Sequence, residues 1–491
     1  MKKLVLASAV STILLAGCGG GGGGGNELST AIETPVDAPQ CATGFVCNKL
    51  AVPTNYLNDD GSKVEVFYAM HKATDAANRI GTLFFNFGGP GAEAQASLVW
   101  MVNSGQLDPQ LVERFDLVAL DPRGSGQSAY AKELTQCAVQ LSSNFNACNE
   151  FYANDAVNIS SNTLVKDMDA LRAHLGEEQI SFIGYSYGTR VGSVYADTYP
   201  ERVRALVLDA PMSPALDNNT ELFIDRAAGY ELVARFRLNS PARYDTLKAA
   251  SSYLYDAGVY QLNDGELTLD TARSALFGLS EVGFYGYWEH QKAGVFELLD
   301  NGNTQLLNRL VASTPWYQSQ NPTDDARSNA MFAAVLCSDE VMPLSANEIS
   351  AMQDDFSANA PVYGRYTFDG VAYMCADWPG AHDAVTPLAD IEAKLQTPVL
   401  IIGGQYDTRT PYVWAEEMAQ SFASLTRFIR VENVVEHSFS YRGSACIDDA
   451  TTAYLLDPQV AQDNLVCDGG LMKRSQGGGF KPHPVQHNKY L

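Results

Sequence analysis

The sequence predicts an α/β protein: a mostly parallel sheet with helices on both faces, and a largely helical cap inserted between two parts of the sheet. Three observations predict it. From Gly81 onward, apolar runs of strand length alternate with stretches of helical period. One serine stands between such a run, Ile180-Ser181-Phe182-Ile183, and a helix-prone stretch over 190–199, bracketed as Gly184-Tyr185-Ser186-Tyr187-Gly188. The alternation fades after about residue 213 and resumes at Thr397-Pro398-Val399-Leu400-Ile401-Ile402.

The N-terminus reads as a secretory signal. Lys2-Lys3 precede an apolar run that ends in Leu15-Ala16-Gly17-Cys18. That run is too short to cross a bilayer about 30 Å thick, and its end matches a bacterial lipobox, in which Cys18 carries the lipid of the mature protein. Residues 1–18 are therefore expected to be the signal, and 19–40, opening with seven consecutive glycines, a flexible tether. No later stretch has the apolar length of a membrane helix. The expectation is an exported lipoprotein that meets the membrane through its lipid alone. Gly19 in place of an aspartate points to the outer membrane, or more broadly to the periplasmic face or cell surface.

Of nine cysteines, those other than Cys18 form an even set, which in an exported chain suggests disulfides. Proximity favours Cys41 with Cys47, Cys137 with Cys148, Cys337 with Cys375, and Cys446 with Cys467, among on the order of 100 possible pairings. No CxxC pair or HExxH helix offers zinc-type spacing, so no metal is expected. A net charge of −24 argues against nucleic acid, whose phosphates need a basic surface.

Along the body, Thr82-Leu83-Phe84-Phe85-Asn86-Phe87 and Phe115-Asp116-Leu117-Val118-Ala119-Leu120 read as strands, ending at Gly88-Gly89 and Asp121-Pro122. A helix over 163–175 follows, with Leu164, Met168, Leu171 and Leu175 on one stripe and Gly176 as its stop. Residues 202–208 give the strand after the serine, and 428–431 another near the end. The expected division is a first core part over 41–212, the cap over 213–388, a second core part over 389–470 and a tail over 471–491.

The glycines around Ser186 mark a nucleophile elbow, a strand-to-helix turn too tight for side chains on either side. A serine hydroxyl needs a base within reach and a carboxylate to orient that base. Gln405-Tyr406-Asp407 places a carboxylate after a strand, and Glu436-His437-Ser438 places an imidazole after the next. Asp407 has a rival use as a helix cap, and His382 beside Asp383 is a rival pair read as a surface feature of the cap. The order serine, acid, histidine is that of α/β-hydrolases. Gly88-Gly89-Pro90-Gly91 would let Gly89 supply one oxyanion N–H, with Tyr187 supplying the other. As a phosphate cradle the loop lacks both GxGxxG and a following Gly-Lys-Ser/Thr.

Phe87-Gly88-Gly89-Pro90-Gly91, Asp121-Pro122-Arg123-Gly124-Ser125-Gly126-Gln127-Ser128 and the elbow resemble successive signatures of the proline iminopeptidase and tripeptidyl aminopeptidase branch of the α/β-hydrolases. Cys337-Ser338-Asp339, Cys375-Ala376-Asp377-Trp378-Pro379 and the Cys446 to Cys467 region resemble its secreted tripeptidyl-aminopeptidase-like group, so the likeness spans 40–470. Phe87 and Ala92-Glu93-Ala94 depart from the pattern around the oxyanion loop. The resemblance implies Ser186 as nucleophile, His437 as base and Asp407 as its orienting acid. It also implies cap carboxylates for the substrate's free amine, with Asp339 and Glu340 first and Glu93 behind them. Asp121 and Arg123 are expected to lock their loop as a charge pair. The implied activity is removal of N-terminal residues from peptides through an acyl-enzyme, with no metal or organic cofactor. Two alternatives are a carboxylesterase or lipase using the same triad, and a non-catalytic peptide binder.

Overall fold

The computed structural model describes residues 41–214, 217–256, 259–262, 265–268, 279–280, 288–301, 305–306, 322–459 and 464–471. The expected signal with Cys18, the tether, and the tail beyond Leu471 lie outside the described residues.

Eleven strands are described: β1 (Val46–Pro53), β2 (Lys63–His71), β3 (Gly81–Asn86), β4 (Phe115–Leu120), β5 (Ile180–Tyr185), β6 (Val203–Asp209), β7 (Val259–Leu262), β8 (Gly265–Thr268), β9 (Val399–Gly404), β10 (Thr426–Glu432) and β11 (Leu465–Asp468). Nine make one sheet in the order β1-β2-β4-β3-β5-β6-β9-β10-β11. The pairs β1–β2 and β2–β4 are antiparallel, and every pair from β4–β3 to β10–β11 is parallel. The sequence reading does not anticipate β1, β2 or β11. β1 and β11 are the sheet's edges: in β1 only Val52 is buried and in β11 only Cys467, so neither carries the apolar run that marks a central strand.

Helices α1 (Ala94–Asn103) and α2 (Pro109–Arg114) follow β3; α3 (Ala131–Ala138), α4 (Asn149–Asp155) and α5 (Ser161–His174) follow β4; α6 (Tyr187–Thr198) follows β5. The helix expected over 163–175 is α5, which starts earlier because the Ser160 hydroxyl caps the N–H of Thr163 at 3.1 Å. Strand residues alternate between two cores, as the period of two requires. Phe84, Val118, Phe182, Leu206 and Ile401 pack with Leu164, Met168 and Leu171 of α5 and Val191 of α6. Leu83, Leu117, Ile183, Val207 and Ile402 pack on the other face with Leu98 of α1 and with Ile447 and Tyr454 of the helix Ala445–Leu456.

Between β6 and β9 the described residues add no strand to this sheet. They form α7 (Asn219–Leu238), α8 (Pro241–Asp256), the helices Trp288–Asn301 and Pro322–Ser338, shorter helices up to Ile391–Lys394, and the β7–β8 ribbon. This segment has its own core, with Phe223 and Tyr230 of α7 against Phe356, Tyr363 and Phe368. The four cysteine pairs favoured by proximity are all closed as disulfides. Cys446–Cys467 ties the helix Ala445–Leu456 to the edge strand β11, and Cys337–Cys375 closes within the helical segment. Among the described residues no helix is long and apolar enough to cross a membrane.

Candidate active site

Ser186 is the turn residue between β5 and α6, at φ 57° and ψ −124°. A side chain rarely tolerates this backbone, and the surrounding contacts hold it there. A Cβ at Gly184 would lie 2.2 Å from the carbonyl oxygen of Gly188, and one at Gly188 would lie 2.6 Å from that of Asn86. The Ser186 N–H donates to the main-chain oxygen of Asp209 at the end of β6, 2.9 Å away.

Asp407 follows β9 and is buried; its carboxylate accepts from the N–H of Arg409 at 2.9 Å, the N–H of Thr410 at 3.1 Å and the Thr410 hydroxyl at 3.0 Å. The His437 Nδ1 lies 2.8 Å from Asp407 Oδ2, so the imidazole donates there and leaves Nε2 available as an acceptor. The rival use of Asp407 as a helix cap is not realised: the helix Tyr412–Phe422 has Pro411 at its cap position and no side-chain cap bond. Ser186 Oγ makes no hydrogen bond to the imidazole in this structure; such bonds commonly tighten only when substrate is bound. The rival pair fails as a dyad. Asp383 accepts from Ser160 at 2.6 Å, while the buried Nδ1 of His382 has no hydrogen-bond partner among the described residues.

The Gly88–Gly91 loop lies against the serine. A Cβ on Gly88 would come within 2.9 Å of the Ser186 Cβ, and Gly88, Gly89 and Gly91 all have positive φ. Asn86 Oδ1 holds the loop by accepting the Gly88 N–H at 3.0 Å. Tyr187 opens α6, so its N–H has no i−4 helical carbonyl and stands next to the serine in the chain.

Asp121 and Arg123 do not form the expected pair. Arg123 is buried with Asp167, Nε to Oδ2 at 2.7 Å, and also donates to the carbonyls of Pro53 and Thr54. Asp121 accepts the Gln95 N–H at 3.0 Å near the start of α1, and burial pushes its carboxyl up to about 6. It therefore braces the segment just after the glycine loop.

The three carboxylates expected to await an ammonium group each have partners within the chain. Glu93 pairs with Arg327 of the helix Pro322–Ser338 at 2.8 Å. Asp339 accepts the N–H and hydroxyl of Ser161 at 3.0 and 2.6 Å and lies 3.5 Å from Arg190 Nη1; burial raises it to about 6. Glu340 Oε1 accepts the N–H and side-chain amide of Asn219 at 2.8 and 3.0 Å, while Oε2 is buried with no hydrogen-bond partner among the described residues. Burial raises Glu340 to about 7. The small pocket beside Asp339 and Glu340 is lined by Arg190 and Ser193 of α6, one and two turns beyond the serine, and by none of Ser186, Asp407 or His437. All three carboxylates thus accept from donors of their own chain, and of the three only Glu340 keeps a buried oxygen without a hydrogen-bond partner among the described residues.

Sequence reasoning missed Asp209 on β6, a carboxylate at the same strand-end edge as Ser186 and Asp407. It accepts from Phe439 and Ser440, whose position two and three residues past His437 gives no local signal. It also missed Asn86 and Thr410, whose partners are set by the turns they sit in.

Known proteins resemble the chain along most of its length. The chain is 28% identical over 485 residues to the serine protease Hip1 of Mycobacterium tuberculosis, covering 86% of this chain and 87% of that protein. It is 24% identical over 477 residues to the tripeptidyl aminopeptidase of Streptomyces lividans, covering 89% and 87%. It is 26% identical over 468 residues to carboxylesterase B of Mycobacterium tuberculosis, covering 86% of each chain. The alpha/beta hydrolase fold profile matches residues 81–439, most of the chain, and the chain belongs to that family.

Proposed function

We propose that the chain is an exported serine aminopeptidase that cuts peptides near a free N-terminus, of the proline-specific or di- or tripeptidyl type. The observation that carries the reading is the 2.8 Å bond from His437 to buried Asp407, on the sheet edge where the elbow exposes Ser186. In this mechanism His437 Nε2 takes the proton of Ser186 Oγ as the oxygen attacks the scissile carbonyl. The N–H groups of Gly89 and Tyr187 receive the developing oxyanion. His437 then protonates the leaving amine, and water releases the acyl group by the same steps in reverse. The 213–388 segment would act as the cap over this site, between core parts at 41–212 and 389–470. For the substrate's ammonium group we favour Glu340 ahead of Asp339 and Glu93, because it alone of the three keeps a buried oxygen without a hydrogen-bond partner among the described residues. The relatives named as a serine protease and a tripeptidyl aminopeptidase support the peptidase reading.

The relative named as a carboxylesterase supports the second reading, an esterase with the same triad. Free-amine di- and tripeptide anilides, their N-acetylated counterparts and short-chain esters, assayed side by side, separate the two. Cleavage confined to the free-amine set is expected; turnover of esters alone overturns the peptidase reading. For export, we propose lipidation at Cys18: Cys18→Ala should move the protein from the membrane fraction to the soluble one, and retention in the membrane would refute the anchor.

A further inference from the structure

We propose that Asp209 is a positioning residue for the reaction, holding the nucleophile elbow through its main chain and the histidine loop through its carboxylate. The inference rests on the triad reading above. Its main-chain oxygen accepts the Ser186 N–H at 2.9 Å, fixing the elbow at the point where β5 ends. Both carboxylate oxygens accept the Phe439 N–H at 3.0 Å, and Oδ2 also accepts the Ser440 N–H at 2.7 Å and the Ser440 hydroxyl at 2.6 Å. The side chain is wholly buried, so these donors replace water entirely.

The loop needs such a hold. Ser438 and Tyr441 have φ 68° and 59°, left-handed backbone that non-glycine residues adopt only when their surroundings impose it. Asp209 grips the two residues between them, two and three positions past His437. Ser440 Oγ also lies 3.3 Å from the Tyr185 hydroxyl, and the Tyr185 ring stacks on Phe87 at 5.7 Å, next to the oxyanion loop. One buried carboxylate thus connects the three segments that carry nucleophile, base and oxyanion donors. Its hydrogen bonds go to the loop and not to the imidazole, whose Nδ1 is taken by Asp407. Asparagine at this position would place an NH2 donor against N–H donors, and the histidine loop would lose part of its anchorage.

The test uses the full chain with an activated ester and a free-amine peptide anilide. Asp209→Asn should melt cooperatively and lower kcat about 100-fold with KM within about twofold, as a misplacement on the order of 1 Å would. In a His437→Ala background the same change should have no further effect, because the residue it positions is gone. Unchanged kcat, or a further loss of the same factor in the His437→Ala background, overturns the proposal. Should Asp209→Asn fail to fold, Ser440→Ala decides: a kcat lowered about fivefold in the parent and unaffected in the His437→Ala background supports the proposal, and parental kcat refutes it. Covalent labelling of Ser186→Ala by a fluorophosphonate would instead refute the triad reading, so the two failures are distinct.

Discussion

The strand-end edge of the sheet and the helical segment between β6 and β9 both bury carboxylates, and they satisfy them differently. Asp407 and Asp209 sit in or beside tight turns at strand ends, where successive N–H groups converge on them, and each accepts three or more hydrogen bonds. Asp339 and Glu340 follow a helix and meet the first residues of two others: Ser161 gives Asp339 its N–H and hydroxyl, with Arg190 nearby, and Asn219 gives its N–H and side-chain amide to one oxygen of Glu340, which leaves half of that carboxylate unsatisfied. Turn backbone delivers donors at fixed spacing, whereas a helix end takes what neighbouring helices present.

The comparison breaks most visibly at the nucleophile. Ser186→Ala should abolish fluorophosphonate labelling and lower kcat by about 10⁴-fold or more; persistent labelling would move the chemistry elsewhere. Next in size, Asp407→Asn keeps the shape of the turn but cannot hold the imidazole in the required tautomer. A loss of about 10³- to 10⁴-fold with normal melting is expected, and near-parental turnover would show that another carboxylate orients His437.

Glu340 sharpens the other side of the comparison. Its carboxyl is raised from 4.5 to about 7 by burial, so between these values the folded protein holds a proton that the unfolded chain releases. Stability should therefore fall as pH rises through that window, and the penalty should be complete above it. Glu340→Gln is neutral throughout and should exceed the parent's stability at pH 8 by about 1–3 kcal/mol, with little difference below pH 4.5. Equal melting curves at both pH values would show that Oε2 is solvated. The same variant should lower kcat/KM for free-amine peptides about tenfold or more while sparing a small neutral ester; equal losses on both would take amine recognition away from Glu340. The smallest effect is expected at Cys41–Cys47, which closes a separation of only six residues against 38 for Cys337–Cys375. Unfolding midpoints of Cys→Ser pairs should show the short loop costing less, since loop-closure entropy grows with length.

The parts legible in the sequence are those with a local cause. The elbow is readable because two glycines bracket the serine within five residues, between an apolar run and a helical stretch, and Asp407 and His437 because each follows a strand-like run. Asp209 lies on such a run too, at the end of β6, but its partners are 230 and 231 residues away and no pattern announces them. The same holds for Glu93, whose charge is taken by Arg327 from 234 residues off, and for Arg123, drawn to Asp167 and not to its neighbour Asp121. Which carboxylate is available is a tertiary property, and the expectation for Asp339, Glu340 and Glu93 depended on it.

The elbow's crowding also bears on how such a chain can change over generations. With a methyl group at 184 placed 2.2 Å from the Gly188 oxygen, and one at 188 placed 2.8 Å from the Asn86 side chain, neither glycine can be exchanged alone without moving a second segment of backbone. Gly184, Gly188 and Asn86 form a lock that single substitutions at the glycines cannot open. A lineage diversifying from this chain would keep these glycines, and a mutagenesis library aimed at new specificities should leave the elbow untouched.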